Sequence, residues 1–276
     1  MVINFSKMHG LGNDFVVIDA ISQKIALSAE QIRFIADRHF GVGCDQLLLV
    51  ELPVTNNADF KYRIFNADGS EVAQCGNGAR CFARFVRDKN LSTKNEIVVD
   101  TDAGQLVLSF DDNGLITVNM GVPRHQPEQI PLLMPEEAGL YHLGLMNGDI
   151  EFSAVSMGNP HAVIRVDNIA LAALETVGKQ MESHPVFPER ANIGFMQIVN
   201  RQHIKLRVYE RGAGETLACG SGACAAVVAG IQQDLLDRQV LVSLPGGDLK
   251  INWHGRGWPV FMAGPAVLVF EGQIML

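Results

Sequence analysis

The sequence predicts an α/β chain made of two like halves. Short strands with turn signals alternate with a few helical segments along all 276 residues. The second half replays motifs of the first at a nearly constant distance. Gly12-Asn13 recurs as Gly158-Asn159 and Val17-Ile18 as Val163-Ile164, each at an offset of 146. Lys61-x-Arg63 recurs as Lys205-x-Arg207, and Cys75-Gly-Asn-Gly-Ala79 as Cys219-Gly-Ser-Gly-Ala223, each at 144. Shared order and offset favour a duplicated domain, and the period is far too long for a solenoid.

The elements follow in order. Strands are expected at Ile3–Phe5 and Phe15–Asp19. A helix follows from Ala29 to His39, opened by a capping box of Ser28 and Gln31 and stopped at Gly41. Strands at Gln46–Val50 and Phe60–Asn66 lead through a turn at Ala67-Asp68-Gly69-Ser70 to a helix from Gly78 to Lys89, with Ala79, Phe82, Ala83 and Val86 on one face. Strands Ile97–Thr101, Gln105–Phe110 and Leu115–Met120 are separated by Asp-Ala-Gly and Asp112-Asn113-Gly114 turns. Residues 121–148 hold four prolines and little periodicity, which suggests a linker. In the second half, strands fit Phe152–Ser156 and Ala162–Val166, and a helix follows Asn168. Strands at Gly194–Val199 and His203–Tyr209 precede a helix from Gly222 to Leu235. Strands near Val240–Leu244, Leu249–Trp253 and Ala266–Phe270 close the chain.

Composition narrows the function. A net charge of −8 argues against a nucleic-acid binder, which needs a basic face. No apolar run approaches the roughly 20 residues of a spanning helix, and the start lacks a signal peptide's pattern. A soluble cytoplasmic protein without membrane attachment is expected. Five cysteines in 276 residues are too few for a disulfide scaffold, so reduced thiols are expected.

The two Cys-Gly-x-Gly-Ala segments carry the chemistry. Each opens an apolar helix, where backbone N–H groups lack partners and the helix dipole is positive. Glycines there let an anion approach the backbone, and a thiol there should have a lowered pKa. Two such openings suit one carboxylate held with a thiol on either side, as inversion at the neighbouring carbon requires: one base removes a proton and an acid returns one to the other face. The spacings Cys75-x5-Cys81 and Cys219-x4-Cys224 are not paired zinc knuckles. Cys81 and Cys224 read as core, and Cys44 has no assignable role. Asn13, Asn66, Asn159 and Asn192, with Gln46, are uncharged hydrogen-bonders near strand ends. Glu210-Arg211 stands where the first half has Asn66-Ala67, which suggests a polar, zwitterionic far end of the substrate. His161 is placed to tune a thiol. A non-catalytic anion-binding protein and a zinc protein remain alternatives at this level.

From end to end the chain resembles the bacterial diaminopimelate epimerases. The resemblance rests on KMHGLGNDF at 7–15, GVGCDQLL at 41–48, FNADGSEVAQCGNGARC at 65–81, GNPHAV at 158–163, Asn192 in ERANIGF, and YERGAGETLACGSGACA at 209–225. It implies two pseudo-symmetric α/β domains, each a mostly antiparallel β-sheet or barrel wrapped around a central helix, with the active site in the cleft between them. Residues 1–120, joined by a final strand at about 264–276, would form one domain and 121–263 the other. It implies cofactor-free and metal-free interconversion of LL- and meso-2,6-diaminopimelate, in lysine and peptidoglycan precursor synthesis. Cys75 and Cys219 match the acid/base thiols. Gly76, Asn77, Gly220 and Ser221 match the backbone cradle of the reacting carboxylate. Asn13, Gln46, Asn66, Asn159, Asn192, Glu210 and Arg211 match substrate-binding positions, and His161 and Glu210 match groups that tune the thiols. The family is typically homodimeric through its C-terminal region, where some members carry a tyrosine and this chain has Phe270. Proline and hydroxyproline racemases share the two thiols but have no need of the Asn and Glu-Arg set.

Overall fold

A computed structural model of the chain describes every residue except Gln74, Asp112, Asn113 and Asn147. It divides into two compact units, Met1–Asn119 with Ala263–Leu276, and Met120–Met262. Gln74 of the first cysteine motif and the first two residues of the expected Asp112-Asn113-Gly114 turn lie outside the described residues.

The first unit contains β1 (Val2–Gly10), β2 (Asn13–Asp19), α1 (Ala29–Ala36), β3 (Gln46–Glu51), β4 (Phe60–Asn66), β5 (Glu71–Val72), α2 (Gly76–Asp88), β6 (Glu96–Thr101), β7 (Gly104–Phe110) and β8 (Ile116–Asn119). Leu11 and Gly12 turn β1 into β2 with φ of 57° and 88°, and Gly10 faces Asn13. Positive φ at both turn residues matches strand twist, and glycine adopts it without steric cost. This turn sets Asn13 at the mouth of β2. β2 runs parallel to β3, β3 antiparallel to β4 and β4 parallel to β6; β6, β7 and β8 continue antiparallel. The C-terminal strand, Val267–Met275, pairs antiparallel with β1.

Both faces of this sheet are covered. α1 lays Ile32 and Ile35 on Val16, Ile18, Leu47 and Leu49. α2 packs against β1, β2, β3, β4, β7 and β8, so the sheet wraps around it. That explains why β2 and β3 read as continuous apolar runs: strands buried on both sides need no polar alternation.

The second unit contains β9 (Tyr141–Leu145), β10 (Gly148–Ser156), β11 (Pro160–Arg165), α3 (Lys179–Glu182), β12 (Asn192–Asn200), β13 (His203–Glu210), β14 (Gly214–Thr216), α4 (Gly220–Gln232), β15 (Gln239–Leu244) and β16 (Gly247–Trp253). The chain returns to the first unit in β17 (Val260–Gly264), which makes the C-terminal strand β18. The topology repeats: β11 is parallel to β12, β12 antiparallel to β13 and β13 parallel to β15. Register repeats too. Phe15 faces Gln46 and His161 faces Asn192, so both members of the pair are displaced by 146. α4 packs against β10, β11, β12, β13 and β16. Among the described residues, the strand pairings within each unit form an open sheet around the helix rather than a closed barrel.

Several sequence expectations are corrected. The capping box at Ser28 and Gln31 forms, but α1 ends at Ala36 rather than His39. Asp37 turns extended, and its carboxylate accepts from the N–H groups of His39 and Phe40. Asp competes with the helix in this way because its short side chain reaches nearby backbone. Residues 121–148 are not a plain linker. They include a 3₁₀ turn at Pro127–Gln129 and β9, and Ile130, Leu132 and Tyr141 enter the core around Phe152 and Phe195. The helix expected after Asn168 is broken in two: a 3₁₀ turn, Ile169–Leu171, capped by the Asn168 side chain, and then a π-helical stretch, Leu174–Gly178, that runs into α3. β5, β9, β14 and β17 have no counterpart in the sequence reading. Two of them, β5 and β14, have only two or three residues, too few for a periodic signal.

Candidate active site

α2 and α4 begin at Gly76 and Gly220, two residues earlier than their apolar periodicity signals. Cys75 and Cys219 therefore stand at the N-cap positions, with extended backbones of φ −146° and −111°. Each cysteine carbonyl already accepts the first helical bond, from Ala79 at 2.8 Å and from Ala223 at 2.9 Å. The N–H groups of the intervening residues lie in the first helical turn, where the helix supplies no acceptor and the dipole favours an anion.

The third residue after each cysteine is a glycine where the helix closes on a strand. A Cβ on Gly78 would stand 2.5 Å from Tyr62 Oη and 3.3 Å from Ile64. A Cβ on Gly222 would stand 3.1 Å from Val208 and 3.2 Å from Cys219 Sγ. Ile64 and Val208 are themselves repeat counterparts at an offset of 144.

In the first unit Cys75 is half-buried. Its thiol donates to Asn13 Oδ1 at 3.9 Å, and Asn77 Nδ2 donates to the same oxygen at 3.2 Å. Tyr62 Oη donates to the Cys75 carbonyl at 3.2 Å. Gln46 Nε2 donates to Asn66 Oδ1 at 3.0 Å across paired strands β3 and β4. Asn13, Gln46, Asn66, Gly76 and Asn77 are thus gathered with Cys75 at one end of this unit's sheet and the start of its helix. Cys44 and Cys81 lie in the core, where burial pushes their thiols up to about 11 and about 12. No disulfide joins any of the five cysteines.

In the second unit Cys219 is buried, and its Sγ lies 3.7 Å from Ser221 Oγ. Its thiol also bonds to the Glu210 carboxylate, which Thr216 Oγ1 supports from the other side. Burial first, and the Glu210 charge second, push the Cys219 thiol well above its ordinary value. This corrects the lowered value expected from the helix start: the N–H of Gly222 does pull the other way, but desolvation of a thiolate outweighs it. Asn159 Nδ2 donates to Ser221 Oγ at 3.5 Å, and Asn159 Oδ1 meets His161 Nε2 at 3.0 Å. His161 is buried, which lowers its pKa to about 3 and keeps the ring neutral; the Arg211 charge acts in the same direction. Asn192 is buried and its amide is engaged on both sides, donating to the Pro160 carbonyl and accepting from Arg211 N–H at 2.9 Å. It ties β11 and β12 to the turn after β13. Arg211 is exposed, with one guanidinium N–H on the Glu189 carbonyl at 2.9 Å. Sequence reasoning missed Thr216, Arg80 and the Asp45 carboxylate. Threonine in a three-residue strand, a buried arginine and an aspartate in a loop have no pattern to mark them.

The comparisons with known proteins identify first a fold class. The chain superimposes on a Bacillus anthracis phenazine biosynthesis protein of the PhzF family, with a TM-score of 0.70, 18% identity and full coverage of both chains. It superimposes equally on a hydroxyproline epimerase from Agrobacterium vitis, with a TM-score of 0.70 and 15% identity over 99% of this chain and 92% of that one. This is the duplicated fold of the PhzF and proline racemase-like proteins. The sequence narrows the class. The family pattern described as diaminopimelate epimerase matches residues 5–126 and 153–269. The diaminopimelate epimerase of Teredinibacter turnerae is 60% identical over all 276 residues, and that of Nitrosomonas europaea 59%, each covered in full. The chain belongs to the diaminopimelate epimerase family. Among the described residues, no helix is long and apolar enough to cross a membrane.

Proposed function

We propose that this protein interconverts LL- and meso-2,6-diaminopimelate by moving one proton off, and another onto, the same α-carbon. The observation that carries the reading is the thiol at the N-cap of the wrapped helix in both repeat units. A carboxylate taken up by the N–H groups of Gly76 and Asn77, and of Gly220 and Ser221, has its negative charge stabilised as the α-proton leaves. The reaction then needs one thiol on each face of that carbon. When Cys219 is the base, Glu210 is the acceptor that takes its proton, and neutral His161 adds no competing charge. Cys75, bonded to Asn13, is then the acid. In the reverse direction the thiols exchange roles. Asn13, Gln46, Asn66, Asn159, Asn192, Glu210 and Arg211 form the polar set that binds the rest of the zwitterionic substrate. Arg211 offers a planar fork suited to its distant carboxylate. No cofactor is required in this scheme, and its place is the cytoplasm, where lysine and peptidoglycan precursors are made.

Purified, reduced protein incubated with LL-diaminopimelate in deuterated water tests this by chiral separation and mass spectrometry. Early meso product should carry solvent deuterium while remaining substrate carries little, because the acid is a different group from the base. Cys75→Ala and Cys219→Ala should each lower the rate by about 10²–10⁴-fold. A folded Cys219→Ala protein that inverts at the normal rate defeats the scheme.

The same reading includes a homodimer built on β18. Val267, Leu268, Val269 and Phe270 are exposed on this C-terminal strand, which pairs with β1 along one edge. Apolar side chains on an exposed strand are the surface that a second copy covers.

A further inference from the structure

Four side chains around Cys75 form a hydrogen-bonded chain whose direction is fixed by chemistry at both ends. Asn13 Nδ2 donates to Asp45 Oδ2 at 3.0 Å. Asp45 also accepts from Asp14 N–H at 3.1 Å and from Arg38 Nη2 at 2.8 Å. A carboxylate only accepts, so the face of the Asn13 amide turned to Asp45 must be its NH₂. At the far end, fully buried Arg80 donates through Nη2 to Asn77 Oδ1 at 3.0 Å. A guanidinium only donates, so Asn77 must turn its own NH₂ toward Asn13. Both ends demand the same answer: the oxygen of Asn13 faces Asn77 and the Cys75 thiol.

We propose that Asp45, held by Arg38, is a positioning residue that locks the Asn13 amide so that its carbonyl oxygen, and not its NH₂, is presented to the Cys75 thiol. This rests on the reading of Cys75 as an acid/base group. A carbonyl oxygen accepts the S–H and favours the protonated thiol, whereas an NH₂ in its place favours the thiolate. The lock therefore keeps Cys75 loaded with the proton it delivers. Other groups facing this thiol's surroundings are the Tyr62 hydroxyl from β4, Arg80 and Cys81 from α2, and the Lys7 and Asp14 pair behind Asp45. Asp45 and Asn77 bond the two sides of the Asn13 amide directly.

The test is the pH profile of Cys75 alkylation by iodoacetamide in the full chain, read by peptide mapping, beside kcat and KM. Asp45→Ala removes a negative charge and Arg38→Gln a positive one, both at exposed side chains. Through-space charge alone would move the Cys75 midpoint in opposite directions in the two variants. Loss of the lock moves it down in both, by about half to one pH unit for one hydrogen bond, and lowers kcat more than it raises KM. Asp45→Asn keeps an acceptor for Asn13 and should recover most of the midpoint. Opposite shifts, an unmoved midpoint in either variant, or an Asn variant no better than Ala overturns the proposal. Arg38→Gln by itself decides the sign if Asp45→Ala does not fold. Because alkylation reports Cys75 whether or not the protein turns over diaminopimelate, failure of this inference is distinct from failure of the functional reading.

Discussion

At the scale of single residues, burial decides more of the site chemistry than the helix dipole does. Cys219 and His161 sit close together in sequence space to groups that hydrogen-bond them, yet both are held in their neutral forms because their charged forms would lose water. For His161 this has a pH consequence with a definite sign. Its folded value is about 3, whereas an unfolded chain's histidine titrates near 6.5. Between those values the unfolded state binds the extra proton, so the group's contribution to stability is intact above about pH 6.5 and is lost as pH falls. At pH 5 the loss from this one residue is about 2 kcal/mol. Urea unfolding of wild type and His161→Gln at pH 7.5 and pH 5 measures it. The wild type should lose about that much more than the variant on acidification; equal losses would mean His161 takes up a proton in the folded state.

At the scale of elements, the strand-to-helix junction sets the two helix starts proposed to hold the substrate carboxylate. Its tolerance differs between the repeats. A Cβ at position 78 meets the Tyr62 hydroxyl at 2.5 Å and Phe15 at 3.2 Å, whereas at position 222 its nearest neighbour is a Val208 methyl at 3.1 Å. Tyr62 is fully packed against Phe82 and donates to the Cys75 carbonyl, so it cannot yield without losing that bond. Gly78→Ala should therefore destabilise by about 1–3 kcal/mol, the usual cost of overpacking a core, and Gly222→Ala by less. Chemical denaturation of the two variants gives the order directly. If Gly222→Ala proved the more harmful, α4 rather than α2 would be the more tightly seated helix.

At the scale of the whole molecule, the exposed apolar strand β18 is the surface proposed for a second copy. Phe270 packs edge-on against Phe5 with ring centroids 6.0 Å apart and is still 46% exposed. A glutamate there would place a charge on the surface proposed for a second copy. Light scattering should give about twice the 30.1 kDa chain mass for the wild type and a shift toward the single-chain mass for Phe270→Glu. A wild type that stays at one chain mass at high concentration would remove the dimer.

The amino-acid sequence by itself determined the duplication, both cysteine loops and the helices they open, and nearly every long strand. These are local patterns: periodicity, capping residues and glycine at tight junctions are written in neighbouring positions. It also carried the family, because motifs spread from residue 7 to residue 225 are specific together. Tertiary structure alone decided the rest. The stretch 121–148 became core because Ile130, Leu132 and Tyr141 met partners far along the chain. Asp45 stands beside Asn13 because a loop 32 residues further along the chain brings it there, whereas Arg80 and Thr216 reach Asn77 and Glu210 from three and six residues away, across one helical turn and one hairpin. The protonation of Cys219 was settled by how deeply the fold buries it, and depth is a property of packing, not of sequence neighbours.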